Sequence, residues 1–286
     1  MADFTAAIVQ MRATTDIERN VADVSDLIRE AAAAGADYVQ TPEMTNIIQL
    51  KSKALFAAIE PEQGNRALEA MRTLASDLGI WLHIGSMSIR LEAEKAANRA
   101  YLIAPSGTVV ARYDKIHMFD VDLAGGESYR ESKVYRPGGE AVIADLPWGK
   151  LGLSICYDLR FPHLYRQMAS AGAQVLAVPA AFTRQTGQAH WHVLQRARAI
   201  ETGCFVIAAA QGGDHEDGRS TFGHSLIVNP WGEVIAEIDN DKPGVALAGI
   251  TLSQVTKARD NVPSLKNGRR FDLHQETMDS ALRAVS

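Results

Sequence analysis

Cys156 closes a short apolar run, Lys150-Leu151-Gly152-Leu153-Ser154-Ile155, that reads as a buried strand, and Tyr157-Asp158-Leu159-Arg160-Phe161-Pro162 leads from it into a helix. Open α/β sheets carry their reactive groups at the carboxyl ends of such strands. A thiol beside a helix N-terminus also feels a positive partial charge that favours the thiolate. Two more residues take the same kind of position. Glu43 follows the strand 36–41 in Thr41-Pro42-Glu43-Met44, where Pro42 ends the ladder and turns the chain just before the carboxylate. Lys115 follows the strand 108–114 in Tyr113-Asp114-Lys115-Ile116-His117. A thiol nucleophile needs a base, and the carbonyl it attacks needs a cation or donor for the developing oxyanion, so the three side chains suit nucleophilic acyl transfer. A thiol-protease pair of Cys156 with His117 or His163 stays open on spacing, because such partners meet only in space. Cys204 extends an apolar helical stripe into the start of a strand and reads as an inert core thiol.

A recurring unit of amphipathic helix, glycine and hydrophobic strand must position these residues. The first helix is expected from a capping box at Thr15-Asp16-Ile17-Glu18, with Ile17, Val21, Val24, Ile28 and Ala31 as its core stripe and Gly35 just past its end, before the strand 36–41. Leu68, Met71, Ala75 and Leu78 precede Gly79 and a strand at 80–85. Leu164, Met168 and Ala171 precede Gly172 and a strand at 173–178, and Val193, Ala197 and Ile200 precede Gly203 and a strand at 204–209. Helices alternating with strands indicate an α/β architecture with covered sheets. The hairpins 102–111 and 227–236 align, with Pro105 and Gly107 in one matching Pro230 and Gly232 in the other, and the strand ending at Pro42 resembles the one ending at Pro179. The chain thus divides into two related halves, each a sheet with helices on one face. Packing their bare faces together gives a four-layer α-β-β-α sandwich, expected as one domain over 1–286. The stretch 115–139, with Gly125, Gly126, Gly138 and Gly139, breaks the pattern, and a loop of that length in a compact domain is usually functional.

Composition narrows the partners. The 286 residues are 47% hydrophobic and 22% charged, which excludes wholesale disorder and collagen-like repeats. A net charge of 29 − 34 = −5 without a long basic run argues against nucleic acid or an anionic membrane as partner. No apolar stretch reaches the roughly 18 residues of a spanning helix. The first residues carry no basic n-region, so no signal peptide is expected, and two cysteines are too few for a disulfide scaffold; both point to a cytoplasmic setting. The 213–220 segment is a poor phosphate loop: Arg219 replaces the lysine, Asp214, Glu216 and Asp217 would repel phosphate, and a strand comes next. His190-Trp191-His192 makes a poor metal site on a helix, where residues two apart do not share a face, and 214–217 reads as an exposed loop.

The segments TPEM at Glu43, YDKIHMFD at Lys115 and SICYDLRFP at Cys156 resemble the Glu-Lys-Cys triad of the nitrilase, or carbon–nitrogen hydrolase, superfamily, and the resemblance covers essentially the whole chain. It implies a four-layer αββα protomer that dimerises through its helical layers and works without a metal or organic cofactor. It also implies that Glu131, in Tyr129-Arg130-Glu131-Ser132, is the second, substrate-positioning glutamate. In the mechanism that goes with it, Cys156 forms a thioester, Glu43 shuttles the proton, and Lys115 with the Tyr157 backbone N–H holds the oxyanion. FDVDLAGGESYRES, GQAHWHVLQRARAIE, AAAQGGDHEDG and GHSLIVNPWGEV look most like the branch that hydrolyses deaminated glutathione. The neighbouring ω-amidases of α-ketoglutaramate and α-ketosuccinamate, another amidase, carbamoylase or nitrile hydrolase, and a catalytically silent scaffold are the alternatives. The expected substrate is thus a small keto-acid amide, cleaved to a carboxylate and an ammonia-type product. Its carboxylates need cations, for which Arg130, Arg160 and Arg184 are candidates, with Arg160 expected in a structural salt bridge to Asp158. Phe182 and Thr183 are expected on the pocket wall, and His163 and Trp191 in packing. A homodimer or larger homo-oligomer is expected, with the tail 261–286, containing Arg269 and Arg270, at a subunit interface.

Overall fold

The computed structural model describes residues 3–123 and 128–275, so Gly125 and Gly126 and the end of the tail lie outside the described residues. In the first half, β1 (Phe4–Gln10), α1 (Ile17–Ala33), β2 (Tyr38–Gln40), α2 (Ser52–Ala58) and α3 (Arg66–Leu78) precede β3 (Trp81–Arg90), β4 (Ala96–Ile103) and β5 (Val109–Asp114). A small hairpin comes next, β6 (Asp120–Asp122) with β7 (Ser128–Arg130). The second half runs β8 (Val142–Leu146), β9 (Gly149–Leu153), α4 (Pro162–Ser170), β10 (Val175–Ala177), α5 (Arg184–Thr202) and β11 (Phe205–Ala208). Then come the hairpin β12 (Gly212–Asp214) and β13 (Ser220–Phe222), β14 (Leu226–Val228), β15 (Val234–Glu237), β16 (Gly244–Ile250) and α6 (Ser253–Asn261).

The two six-stranded sheets repeat one plan. One is ordered β16-β1-β2-β3-β4-β5, and the other, read from its matching edge, β8-β9-β10-β11-β14-β15. In each, three parallel strands are flanked by antiparallel ones. They differ in one respect: the edge strand that precedes the parallel trio in the second half is supplied to the first by β16, from far along the chain. The aligned hairpins share their turn bonds. Ala104 N–H to Thr108 O (2.9 Å) and Gly107 N–H to Ala104 O (2.8 Å) match Asn229 N–H to Glu233 O and Gly232 N–H to Asn229 O, both 2.9 Å. Gly107 and Gly232, at φ 75° and 87°, occupy the left-handed position that requires glycine.

Strand alternation builds the layers. Phe4, Ala6 and Ile8 of β1 pack with Leu151, Leu153 and Val175 of the second sheet, whereas Ala7 and Val9 pack with Val24 and Ile28 of α1 and Leu68 and Met71 of α3. Leu164 and Met168 of α4 and Trp191 of α5 join the core on the second sheet's side. The result is helix, sheet, sheet, helix. Side chains also tie the sheets together: Gln40 Oε1 accepts the Ala209 N–H (2.8 Å) and Gln10 Oε1 the Ser225 N–H (2.9 Å).

Three local expectations change. The first helix is capped by Asp16, whose Oδ1 accepts the N–H groups of Glu18 (2.9 Å) and Arg19 (3.2 Å), while Thr15 turns its hydroxyl to Glu216 (3.1 Å). The strand expected at 80–85 runs on to Arg90 as β3. The expected α5 stripe faces outward: Val193 and Ile200 are 68% and 54% exposed, while Trp191, Gln195 and Arg198 are buried. The cause is polar. The Arg198 guanidinium donates twice to Leu159 O, at 3.0 and 2.7 Å, and so draws a charged face inward.

Candidate active site

The strand ends converge as the two-halves plan requires. Glu43 lies just past β2 and Cys156 just past β9, while Ala181 follows β10, the counterpart of β2 in the other sheet. Ala181 N–H donates to Glu43 Oε2 at 2.7 Å, and Cys156 N–H donates to Pro179 O at 2.9 Å, so each reactive residue is held by the turn that follows β10. Cys156 sits at φ +48°, a left-handed conformation uncommon for a residue with a Cβ. Fully buried Asp158 holds that turn. Its Oδ2 accepts the Ile155 N–H (2.9 Å) and the Tyr113 hydroxyl (2.6 Å), and its Oδ1 takes the His117 N–H (3.0 Å) and lies 2.7 Å from His117 Nδ1. Thus the Cys156 turn and the loop carrying Lys115 are braced by one carboxylate.

Lys115 Nζ donates to Glu43 Oε1 at 2.9 Å and to Glu131 Oε1 and Oε2 at 3.0 and 2.8 Å. Asn98 Nδ2, from β4, donates to the same two carboxylates at 2.9 and 3.1 Å. Phe119 N–H holds Glu131 Oε2 at 2.6 Å. The three charged residues and Cys156 line one cavity of about 240 Å³, walled by Tyr157, Phe182, Thr183 and the apolar Ile47, Ile48 and Leu55.

Burial is the largest influence on Glu43, Lys115 and Cys156, and neighbouring charge decides who wins. Burial pushes the Glu43 pKa up, but the Lys115 charge and hydrogen bond, with the Cys156 thiol and Ala181 N–H, outweigh it and hold the carboxyl below its usual range. Burial pulls Lys115 down, yet Glu131 and Glu43 raise it well above an ordinary lysine. Burial and then Glu43 push the Cys156 thiol well above its usual value, against Lys115. The thiolate expected from a helix N-terminus is therefore not the resting form. Cys156 opens a five-residue 3₁₀ turn, Cys156–Arg160, rather than an α-helix, and a buried carboxylate faces the sulfur. The resting site is a neutral thiol beside an ionised carboxylate, the protonation state that general-base catalysis requires.

The family model for carbon–nitrogen hydrolases matches residues 5–260. The chain belongs to the carbon–nitrogen hydrolase family. It is 41% identical over 274 residues to the deaminated glutathione amidase of Bos taurus, covering 94% of this chain and 82% of that one. Among solved structures it is similar to the C. elegans NitFhit protein (TM-score 0.87, 36% identity), covering 94% of this chain and 66% of that longer one. It is also similar to a glutamate-to-glutamine mutant of the amidase from Nesterenkonia sp. AN1, which carries the acetamide moiety of fluoroacetamide covalently at its active-site cysteine (TM-score 0.80, 25% identity, 94% of each chain).

In this carbon–nitrogen hydrolase the remaining expected residues scatter. Arg184 does not line the cavity; its guanidinium is spent on Asp214 (3.0 Å) and Asp241 (3.1 Å). Arg130 does line it, but forks onto Asp122 at 2.8 and 2.9 Å and donates to the carbonyls of Val121 and Tyr129 within its own hairpin. Arg160 is not paired with Asp158, whose oxygens are already taken; it lies over the Phe182 ring at 5.3 Å, with Nη2 3.3 Å from His190. His117 stacks on Phe161 and engages Asp158, and neither it nor His163 lines the cavity. The residue pattern alone does not single out Asn98, whose signal is a fully buried amide in the mostly buried strand β4, or Arg219, which lines the cavity. Away from the cavity, His192, His224 and Glu237 bring ligand atoms within 4.8 Å of one another, a set able to hold a divalent cation that spacing along α5 alone does not reveal.

Proposed function

We propose that this carbon–nitrogen hydrolase is a cysteine amidase of small keto-acid amides, with deaminated glutathione the favoured substrate. The observation that carries this reading is the buried meeting of Cys156, Glu43, Lys115 and Glu131 on one cavity. The substrate class is supported by the bovine relative's name. In the first half-reaction the Cys156 sulfur attacks the amide carbon as Glu43 takes the thiol proton. The oxyanion is held by the Lys115 ammonium and the Tyr157 N–H. Glu43 then delivers the proton to the leaving nitrogen, the C–N bond breaks, and a thioester remains on Cys156. In the second, Glu43 deprotonates a water that attacks the thioester, the C–S bond breaks, and Glu43 returns that proton to the departing sulfur as the acid is released. Glu131 keeps Lys115 in place.

Comparing kcat/KM for deaminated glutathione, α-ketoglutaramate, a carbamoyl amino acid and a simple nitrile tests the assignment; deaminated glutathione is expected to lead, and a leading α-ketoglutaramate would make this an ω-amidase. Glu43→Gln should lower kcat by about 10²–10⁴-fold, the usual weight of a general base. Intact-mass spectrometry should find the acyl adduct on the wild-type chain and none on Cys156→Ala; an adduct of normal yield on that variant overturns the mechanism.

Two further points belong to the same reading. The protein works as a homodimer or larger homo-oligomer through its helical layers, supported by exposed Val193, Ile200 and Trp231, with exposed Phe271 and Leu273 of the tail near such an interface. It resides in the cytoplasm, supported by two cysteines that are both unpaired; cell fractionation checks this.

A further inference from the structure

A keto-acid amide brings at least one carboxylate into the cavity, and a buried carboxylate needs a cation with donors to spare. Among the described residues three cations line the cavity: Lys115, Arg130 and Arg219. Lys115 is committed to Glu43 and Glu131, and Arg130 to Asp122 and two carbonyls. Arg219 differs. Its side chain is only 18% exposed, yet among the described residues its guanidinium makes no hydrogen bond. It is ion-paired with Asp217, but Asp217 Oδ2 lies 3.6 Å from Nε, too far for a hydrogen bond, while Oδ1 accepts the Arg219 backbone N–H at 3.0 Å. Asp217 thus aligns the side chain without consuming its donors.

Arg219 is also held rigidly. It stands at the turn of the β12–β13 hairpin, where His215 N–H donates to Arg219 O at 2.8 Å. The buried His215 ring lies 2.8 Å from Ala13 O and 2.7 Å from the Thr221 hydroxyl, and Glu216 accepts from Thr15 at 3.1 Å. A bridge between Thr183 and Thr221 joins the hairpin to the segment carrying Phe182 on the cavity wall. A rigid arginine with open donors, facing a cavity where Arg130 is bound within its own hairpin and Lys115 serves the reacting carbonyl, is a preorganised anion site.

We propose that Arg219 is the carboxylate anchor of the cavity, gripping the anionic end of the substrate while its amide lies at Cys156. This rests on the amidase reading above. The carboxylate has two possible sources, the keto-acid end or the glycyl end of deaminated glutathione. The test compares wild type, Arg219→Ala and Arg219→Lys on two pairs: α-ketoglutaramate against its uncharged methyl ester, followed by ammonia release, and deaminated glutathione against its glycinamide form, followed by release of the thiol dipeptide. In Arg219→Ala the kcat/KM preference for the charged member should fall about 10- to 100-fold, mainly through KM, the scale of a lost charged hydrogen bond. A fall in the first pair assigns the keto-acid end, and a fall in the second alone assigns the glycyl end. Arg219→Lys should recover part of the preference, which a misfolded chain would not. Preferences unchanged in both pairs overturn the proposal. If the wild type hydrolyses none of the four, the amidase reading fails, and calorimetry with glutarate decides Arg219 separately: affinity about 10- to 100-fold weaker in Arg219→Ala supports the anchor, and equal or undetectable binding to both proteins removes it.

Discussion

Glu43 and Glu131 share one ammonium, so two carboxyl groups converge on a single cation before any substrate arrives. Asn98 makes this tolerable by donating to both carboxyl groups without adding a charge, which for Glu43 favours the ionised form. The signs of the two displaced groups fix a pH window. Glu43 is lowered from 4.5, so its contribution is present above that value and lost as pH falls through the depressed one. Lys115 is raised above 10.5, so its contribution is present below that value and lost as pH rises through the raised one. The acid limb of kcat/KM should therefore lie below pH 4.5, with no step near the ~6.5 of a histidine base. A limb at that higher pH, abolished by replacing His117 or His163, would restore the thiol-protease reading. Asn98→Leu keeps the volume and removes the shared donor. Its acid limb should move upward and its kcat/KM fall about 10- to 100-fold, since a donor to a charged group is worth roughly 1.5–3 kcal/mol. An unmoved limb would show that Lys115, Cys156 and Ala181 set Glu43 without Asn98.

At the scale of elements, the site depends on how closely three segments pass one another. A Cβ on Gly85 of β3 would run into the Thr41 carbonyl oxygen, the Pro42 carbonyl carbon and the Pro179 side chain. Those are the turns that launch Glu43 and receive the Cys156 N–H. Gly85→Ala should accordingly destabilise the chain by about 1–3 kcal/mol in urea unfolding, and cost more activity than stability, because the forced shift falls between base and nucleophile. A variant with wild-type stability and turnover would mean the sheets yield freely at that point. Much of this level is legible in the sequence. The prolines at 42 and 179, the glycines ending α3 and α5, and the paired turns at Gly107 and Gly232 are local chemistry that only a few backbone geometries satisfy. Hence the strand ends carrying Glu43, Lys115 and Cys156 can be read directly. What cannot be read is which polar side chain faces which partner across the fold. Asn98 and Arg219 acquire meaning only beside residues 30 or more positions away, and Arg184 loses its expected role to Asp214 and Asp241 for the same reason. The α5 stripe misled because Arg198 and Gln195, polar by type, point inward, Arg198 onto the turn that Cys156 opens.

At the scale of the molecule, that reversal of α5 has a consequence for assembly. Val193 and Ile200 lie seven residues apart on one helical face, and Ile200 abuts Gly232 in the β14–β15 turn, next to Trp231 at 58% exposure. Single exposed apolar residues are ordinary, but a patch shared by two elements of the outer layer is the kind of surface a second subunit covers. The opposite face of the same helix holds Leu159 O through Arg198 and packs Trp191 on Phe182 with ring centres 5.2 Å apart. A partner clamped onto α5 would thus stiffen the helix that backs the Cys156 turn and the Phe182 wall. Sedimentation equilibrium should give the wild type at least twice the 31.0 kDa of one chain, and Val193→Glu with Ile200→Glu a species near 31.0 kDa. Because α5 braces the site only indirectly, the separated chain should keep the acyl adduct on Cys156 but turn over more slowly and unfold at lower temperature. A wild type that sediments as one chain at micromolar concentration, or a double variant that stays associated, places the interface elsewhere and leaves the patch without that role.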